Sequence, residues 1–71
     1  MNGSELTALM TNNGLTHQHG TFWNRIDNDS VIAITIFGND EAHVVVRHEG
    51  EETTNERCSY ERAAECVELY V

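Results

Sequence analysis

The spacing of apolar residues changes period along the chain. Leu6, Leu9 and Met10 recur at helical spacing behind Ser4, a residue type that caps helix N-termini, and Glu5 sits in the first turn, where the helix dipole favours negative charge. Asn13-Gly14 ends that helix, and Leu15 is the apolar residue that packs back after a glycine cap. Beyond Gly20 the period shortens. Residues 21–27 (TFWNRID), 31–37 (VIAITIF) and 42–48 (AHVVVRH) are rich in β-branched and aromatic side chains, and Asp27-Asn28-Asp29-Ser30 and Gly38-Asn39-Asp40 between them are turn sequences. Turns this short make consecutive strands antiparallel. Residues 49–57 are polar and predict irregular chain. Ser59 then caps a second helix, on which Tyr60, Ala63, Ala64, Val67 and Val71 form one stripe. The expected fold is α+β, a single domain over residues 1–71 in the order α-β-β-β-α. It is a three-stranded antiparallel meander, residues 31–37 in the centre, with both helices on one face.

Loop length sets the register of the central hairpin, because a slip of one residue exchanges the two faces of a strand. A three-residue loop at Gly38-Asn39-Asp40 pairs Phe37 with Glu41 and puts Ile32, Ile34 and Ile36 on the same face as Ala42, Val44 and Val46. A two-residue loop would set Ile36 beside His43 and Ile32 beside Arg47. The three-residue loop gives the better core, so the isoleucine face is the one the helices cover. The opposite face carries Val31, Ala33, Thr35, Phe37, His43, Val45 and Arg47, with no helix left for it. The first strand is ambiguous: Phe22 and Ile26 suit one face, Trp23 and Arg25 the other.

Size and charge narrow the function. At 71 residues the chain makes one small domain, which buries only about 60% of its unfolded surface and has little room for an enclosed site of about 300–1,000 Å³. No nucleophile elbow, phosphate-binding glycine loop or paired-carboxylate motif is present, and no enzyme is expected. Twelve acidic residues face four basic ones, all arginine, for a net charge of -8. That balance repels a phosphate backbone, so direct nucleic-acid binding is not expected, and it attracts a protein with a basic surface. The N-terminus lacks the basic start and apolar run of a signal peptide, and no stretch approaches the roughly 20 apolar residues of a membrane span. Cys58, just before the second helix, and Cys66, within it, are expected to be free thiols: eight residues at helical rise would put them about 12 Å apart if both were on that helix, beyond the reach of a disulfide. Free thiols suit a reducing cytoplasm.

Five carboxylates gather at one end of such a meander. The first turn and the end of the third strand bring Asp27, Asp29, Glu49, Glu51 and Glu52 together as an acidic pole. Its functional reading is a mimic of nucleic-acid phosphates; the alternative is a set of solvated loops. A second acidic stripe, Glu61, Glu65 and Glu68, follows the spacing of an ordinary polar helix face. The uncovered sheet face offers Phe37, Val45 and Trp23, ringed by Arg25, His43 and Arg47, as an apolar contact surface; Trp23 fits the core equally well. His17-x-His19 with Cys58 or Cys66 is the weakest constellation. It has no zinc-ligand spacing, and neither metal nor cofactor is expected.

Two resemblances accompany these residues. The order α-β-β-β-α is that of the double-stranded RNA-binding domain. That family reads RNA with lysines at the start of its last helix, where this chain has Ser59-Tyr60-Glu61-Arg62-Ala63-Ala64-Glu65, so the RNA function does not carry over. In overall character, small, acidic and without catalytic motifs, the chain resembles the phage-encoded anti-CRISPR inhibitors. That resemblance implies a cytoplasmic inhibitor docking on a nucleic-acid-binding surface of a host CRISPR effector. The sequence therefore predicts an inhibitor or regulator that binds a basic protein surface through the acidic pole, with Phe37, Val45 and Trp23 as apolar contacts. The alternatives are a homo-oligomeric module pairing through the open sheet face and, third, a metal-binding domain.

Overall fold

The computed structural model describes residues 1–69. Val71 of the helical stripe lies outside them. The elements are α1 (Gly3–Asn12), β1 (Thr16–His19), β2 (Phe22–Ile26), β3 (Ser30–Phe37), β4 (Glu41–His48), β5 (Glu51–Ser59) and α2 (Tyr60–Leu69). The α+β class and the antiparallel meander are as expected, but the sheet has five strands in the order β1-β2-β3-β4-β5 rather than three. With that, the topological likeness to the double-stranded RNA-binding domain ends.

The two added strands are the sheet edges. Residues 49–57, expected to be irregular, instead supply most of β5, which pairs with the whole length of β4 from Glu41↔Ser59 to His48↔Glu51. Without that partner the outer N–H and C=O groups of β4 would form an unprotected edge. Thr54, Glu56 and Cys58 alternate half-buried along β5 on the helix side. β1 is short, fully exposed and bulged between His17 and His19.

The central hairpin has the predicted register. Phe37 pairs with Glu41, and Ile32, Ile34 and Ile36 oppose Val46, Val44 and Ala42. Both helices cover this face: Leu6, Met10, Tyr60, Ala63, Cys66 and Val67 are buried in one core with Ile32, Ile34, Val44 and Val46, and among the described residues no buried one is polar or charged.

The helix termini explain where the chain turns. Asn2, rather than Ser4, caps α1. Its side chain accepts from the Glu5 N–H at 2.9 Å, and the Glu5 carboxylate accepts from the Asn2 N–H at 3.1 Å. This reciprocal box satisfies two otherwise free donors, and Ser4 has no comparable partner three residues on. At the other end the Leu15 N–H donates to Met10 O at 3.0 Å and the Gly14 N–H to Thr11 O at 3.1 Å. This closing loop requires Gly14 at φ +85°, a conformation that L side chains rarely adopt, and it delivers Leu15 into the core beside Met10. Ser59 caps α2 as predicted, its hydroxyl accepting from the Arg62 N–H at 3.2 Å. Among the described residues no helix is long and apolar enough to cross a membrane.

Candidate functional site

The acidic pole is assembled by the meander itself. The turn between β2 and β3 and the turn between β4 and β5 lie at the same end of the sheet, and the Glu49 N–H donates to the Asp29 carbonyl at 2.6 Å. Side-chain ligand atoms of Asp29, His48 and Glu49 lie within 4.8 Å of one another, all exposed. Glu49 has φ +53°, which turns the chain back toward β5 and sets Glu51 and Glu52 at its start. The five carboxylates are not equivalent, however. Asp27 pairs with Arg25 at 2.9 Å and Glu52 lies 3.8 Å from Arg47. Asp29, Glu49 and Glu51 have no arginine partner among the described residues.

The same accounting holds over the whole surface. Arg57 pairs with Glu41 at 2.9 Å, and Arg62 with Glu56 at 2.8 Å and Glu65 at 3.4 Å. Every arginine is thus matched to carboxylate. Of the 12 acidic residues, Asp27, Glu41, Glu52, Glu56 and Glu65 are so paired, and the other seven have no arginine ion pair among the described residues. Three of those seven are Asp29, Glu49 and Glu51. The stripe of Glu61, Glu65 and Glu68 is exposed on α2, and it is Arg62 that offsets part of its repulsion, while Arg57 turns instead to Glu41.

The open face of the sheet is larger than the sequence implied, because all five strands contribute to it. Paired residues share a face, which gives four cross-strand rows. The first holds Phe37, Glu41 and Ser59. The second holds His19, Phe22, Thr35, His43 and Arg57, and the third Thr16, Asn24, Ala33, Val45 and Asn55. The fourth holds Ile26, Val31, Arg47 and Glu52. Phe37 and Val45 belong to this face as expected, Phe37 being 39% exposed and Ile26 70%.

Trp23 does not belong to it. Trp23 pairs with Ile34 and Arg25 with Ile32, so both lie on the helix side, and Trp23 packs against the core. The cause is the four residues, an even number, between the paired Ile26 and Val31, which fix the face of every residue of β2.

Sequence reasoning missed Arg57. Its guanidinium lies 4.7 Å from the centre of the Phe37 ring while bonding Glu41, a cation–π stack that holds one edge of the open face. The β-branched pair Thr53-Thr54 was the available signal that this segment is a strand.

The histidine–cysteine grouping is not brought together. His17 and His19 are on β1, Cys58 is on β5 and Cys66 on α2. β1 and β5 are opposite edges of the sheet, about 19 Å apart at the usual strand spacing. Each imidazole has a local neighbour instead: His17 bonds the Gly20 carbonyl at 2.7 Å and lies 5.0 Å from Trp23, and His19 lies 5.6 Å from Phe22.

On the helix side, where the sheet runs on toward the pole, Arg25, Ser30, Ile32, Val46, His48 and Thr53 line an open cleft of about 420 Å³. Its floor is apolar, and Arg25 at its wall is engaged by Asp27 and by the Asn13 carbonyl.

Both cysteines are free, Cys66 fully buried and Cys58 half-buried. Burial pushes both thiols up from their ordinary range, so they stay protonated at neutral pH and are poor nucleophiles. Iodoacetamide at neutral pH should therefore label Cys66 only as fast as the protein unfolds, and both cysteines within minutes once denaturant is added. Fast native labelling of Cys66, or a quantitative Cys58–Cys66 bridge under non-reducing mass spectrometry, would contradict the packing described. Comparison with protein-family models, with curated proteins and with solved structures finds no match to this chain.

Proposed function

We propose that the protein is a non-enzymatic inhibitor or regulator that docks on the basic, nucleic-acid-binding surface of a partner protein in the host cytoplasm. It presents carboxylates where the partner expects phosphates. The partner class implied by the anti-CRISPR resemblance is a CRISPR effector. The observation that carries the reading is the Glu49–Asp29 backbone hydrogen bond. It ties two turns into one unit and holds Asp29 and Glu49 close together, beside Glu51, with no arginine paired to them among the described residues. A net charge of -8 adds a long-range field of the same sign. Such fields raise association rates toward basic partners and lose that effect as salt shortens the Debye length to about 10 Å and below. With each arginine already engaged by a carboxylate, the surface offers little to a nucleic-acid backbone.

The test has two steps. A partner is captured from a bacterial lysate and identified, and free nucleic acid should displace it. Association is then followed by stopped flow at low ionic strength for wild type and for the triple variant Asp29→Asn, Glu49→Gln, Glu51→Gln. None of these side chains is buried, so the fold should persist. The variant should associate about tenfold more slowly at low salt, the difference shrinking as salt rises. A triple variant that associates at the wild-type rate, or a partner indifferent to nucleic acid, removes the pole as the docking site.

A further inference from the structure

The open sheet face differs from the rest of the molecule in charge. Its four rows contain two arginines, Arg47 and Arg57, and two glutamates, Glu41 and Glu52, and so balance. The remaining surface carries the whole excess of negative charge. Two copies of this chain therefore meet with less charge repulsion through this face than through the acidic pole or the glutamate stripe of α2. At its centre the face is apolar or uncharged, with Phe22, Val31, Ala33 and Val45 half-buried and no helix above them.

We propose that the open face is a self-complementary interface between two copies of this chain, independent of the acidic pole. A two-fold axis lying in the plane of contact, perpendicular to the strands and between the second and third rows, stacks each strand antiparallel on its own copy. The first row of one protomer then faces the fourth row of its partner. On β3 this sets Phe37 over the partner's Val31; on β4 it sets Glu41 against the partner's Arg47, and symmetry repeats each contact. Two-fold interfaces have this reciprocal form. An axis along the strands would instead lay β4 over β2, where Glu41 meets no arginine. Aligned sheets usually pack rotated by about 30°, which shifts the outer rows sideways by about one strand spacing of ~5 Å; the long arginine side chain accommodates that offset.

The area is adequate. The four rows hold 17 residues, and at about 4.8 by 6.8 Å for each they give a footprint of about 550 Å² per protomer. The pair buries about 1,100 Å², just above the lower bound for a specific interface and the size of a reversible dimer.

Sedimentation equilibrium of the whole chain at about 0.05 M and about 0.5 M salt tests the proposal. A monomer–dimer equilibrium that tightens with salt is expected, because screening relieves the repulsion between two acidic bodies. Docking on a basic partner weakens with salt, so the two activities are told apart by sign. Glu41→Arg and Arg47→Glu should each raise the dimer dissociation constant at least about tenfold by setting like charges together, and the double swap should return it to within about threefold of wild type. Circular dichroism confirms that each variant is folded. If the swap does not fold, Val45→Glu decides in its place: a folded, monomeric variant supports the interface.

Four results overturn the proposal: a wild type that stays monomeric at high salt, single charge reversals that dimerise normally, a folded double swap that remains monomeric, or a folded Val45→Glu that dimerises like wild type. Failure here leaves the kinetics of the Asp29, Glu49 and Glu51 variant untouched, since those residues lie outside the four rows, and failure of the pole leaves the dimer untouched.

Discussion

Ile34→Asp should leave little or no folded protein at 25 °C. Ile34 is fully buried at the centre of β3, flanked by Trp23 on β2 and Val44 on β4, under the two helices. Among the described residues the core holds no buried polar one, so a carboxylate there would find no donor. Burying an unpartnered charge or forcing it to protonate costs several kcal/mol. A domain of this size has a total stability of roughly 4–10 kcal/mol, which such a charge largely removes. Thr35→Asp is the matched control. Thr35 is the next residue of the same strand but faces the open side, and an aspartate there should cost about 1 kcal/mol through strand preference alone. Thermal melts followed by circular dichroism compare the two. Near-equal melting of both variants would mean that β3 does not bury the isoleucine face.

That contrast rests on a face assignment already visible in the sequence. Three isoleucines at alternate positions, an odd-length turn and a partner strand with Ala42, Val44 and Val46 admit one register that puts all six on the helix-covered face. Gly14, Leu15 and the stripe of α2 were legible for the same reason: each element had to bury one face or end at one place. The edges were not. β1 reads THQH, with no apolar residue, and β5 reads EETTNERCS. Edge strands gain their stability from backbone pairing on one side, so their side chains need not alternate apolar with polar, and charge on an edge also protects it from other chains. The pattern that identifies a buried strand is therefore absent where no burial is required.

The candidate site divides along the same line. Two turns brought to one end follow from the meander alone, so the gathering of Asp29 and Glu49 was predictable from turn placement. Which carboxylates are neutralised was not, because Arg47 meets Glu52 only once β5 is recognised as a strand, and the same holds for Arg57 with Glu41. The face of Trp23 depended on the length of the β2–β3 connection, which the strand's own residues do not encode. The open face consequently has the predicted apolar pair Phe37 and Val45 but exchanges Trp23 for Phe22 and Ile26.

Tyr60→Ala should be nearly as disruptive as the core charge, and Tyr60→Phe should not be. Tyr60 is the first residue of α2 and is 2% exposed. Its ring packs in the common core, and its hydroxyl donates to the Gly38 carbonyl at 3.0 Å, in the turn between β3 and β4. Gly3, at the start of α1, approaches the same hydroxyl: a β-carbon there would lie 4.0 Å from it. One side chain thus joins both helices to the end of the sheet opposite the acidic pole. Removing the ring leaves a large cavity beneath two short helices, and aromatic-to-alanine changes of this kind cost about 3–5 kcal/mol. Neither helix can compensate, since ten-residue helices depend on packing for their stability. Phenylalanine keeps the ring and loses one hydrogen bond, worth about 1 kcal/mol; Gly38 is exposed, so its carbonyl can turn to water. Urea denaturation should show a midpoint only slightly lowered for Tyr60→Phe, at unchanged slope, and a transition for Tyr60→Ala that begins near zero denaturant. Comparable losses in both variants would assign the anchoring to the hydroxyl instead of the ring. Because this anchor sits at the far end of the sheet from Asp29, Glu49 and Glu51, Tyr60→Phe should also leave the association rate of the pole unchanged.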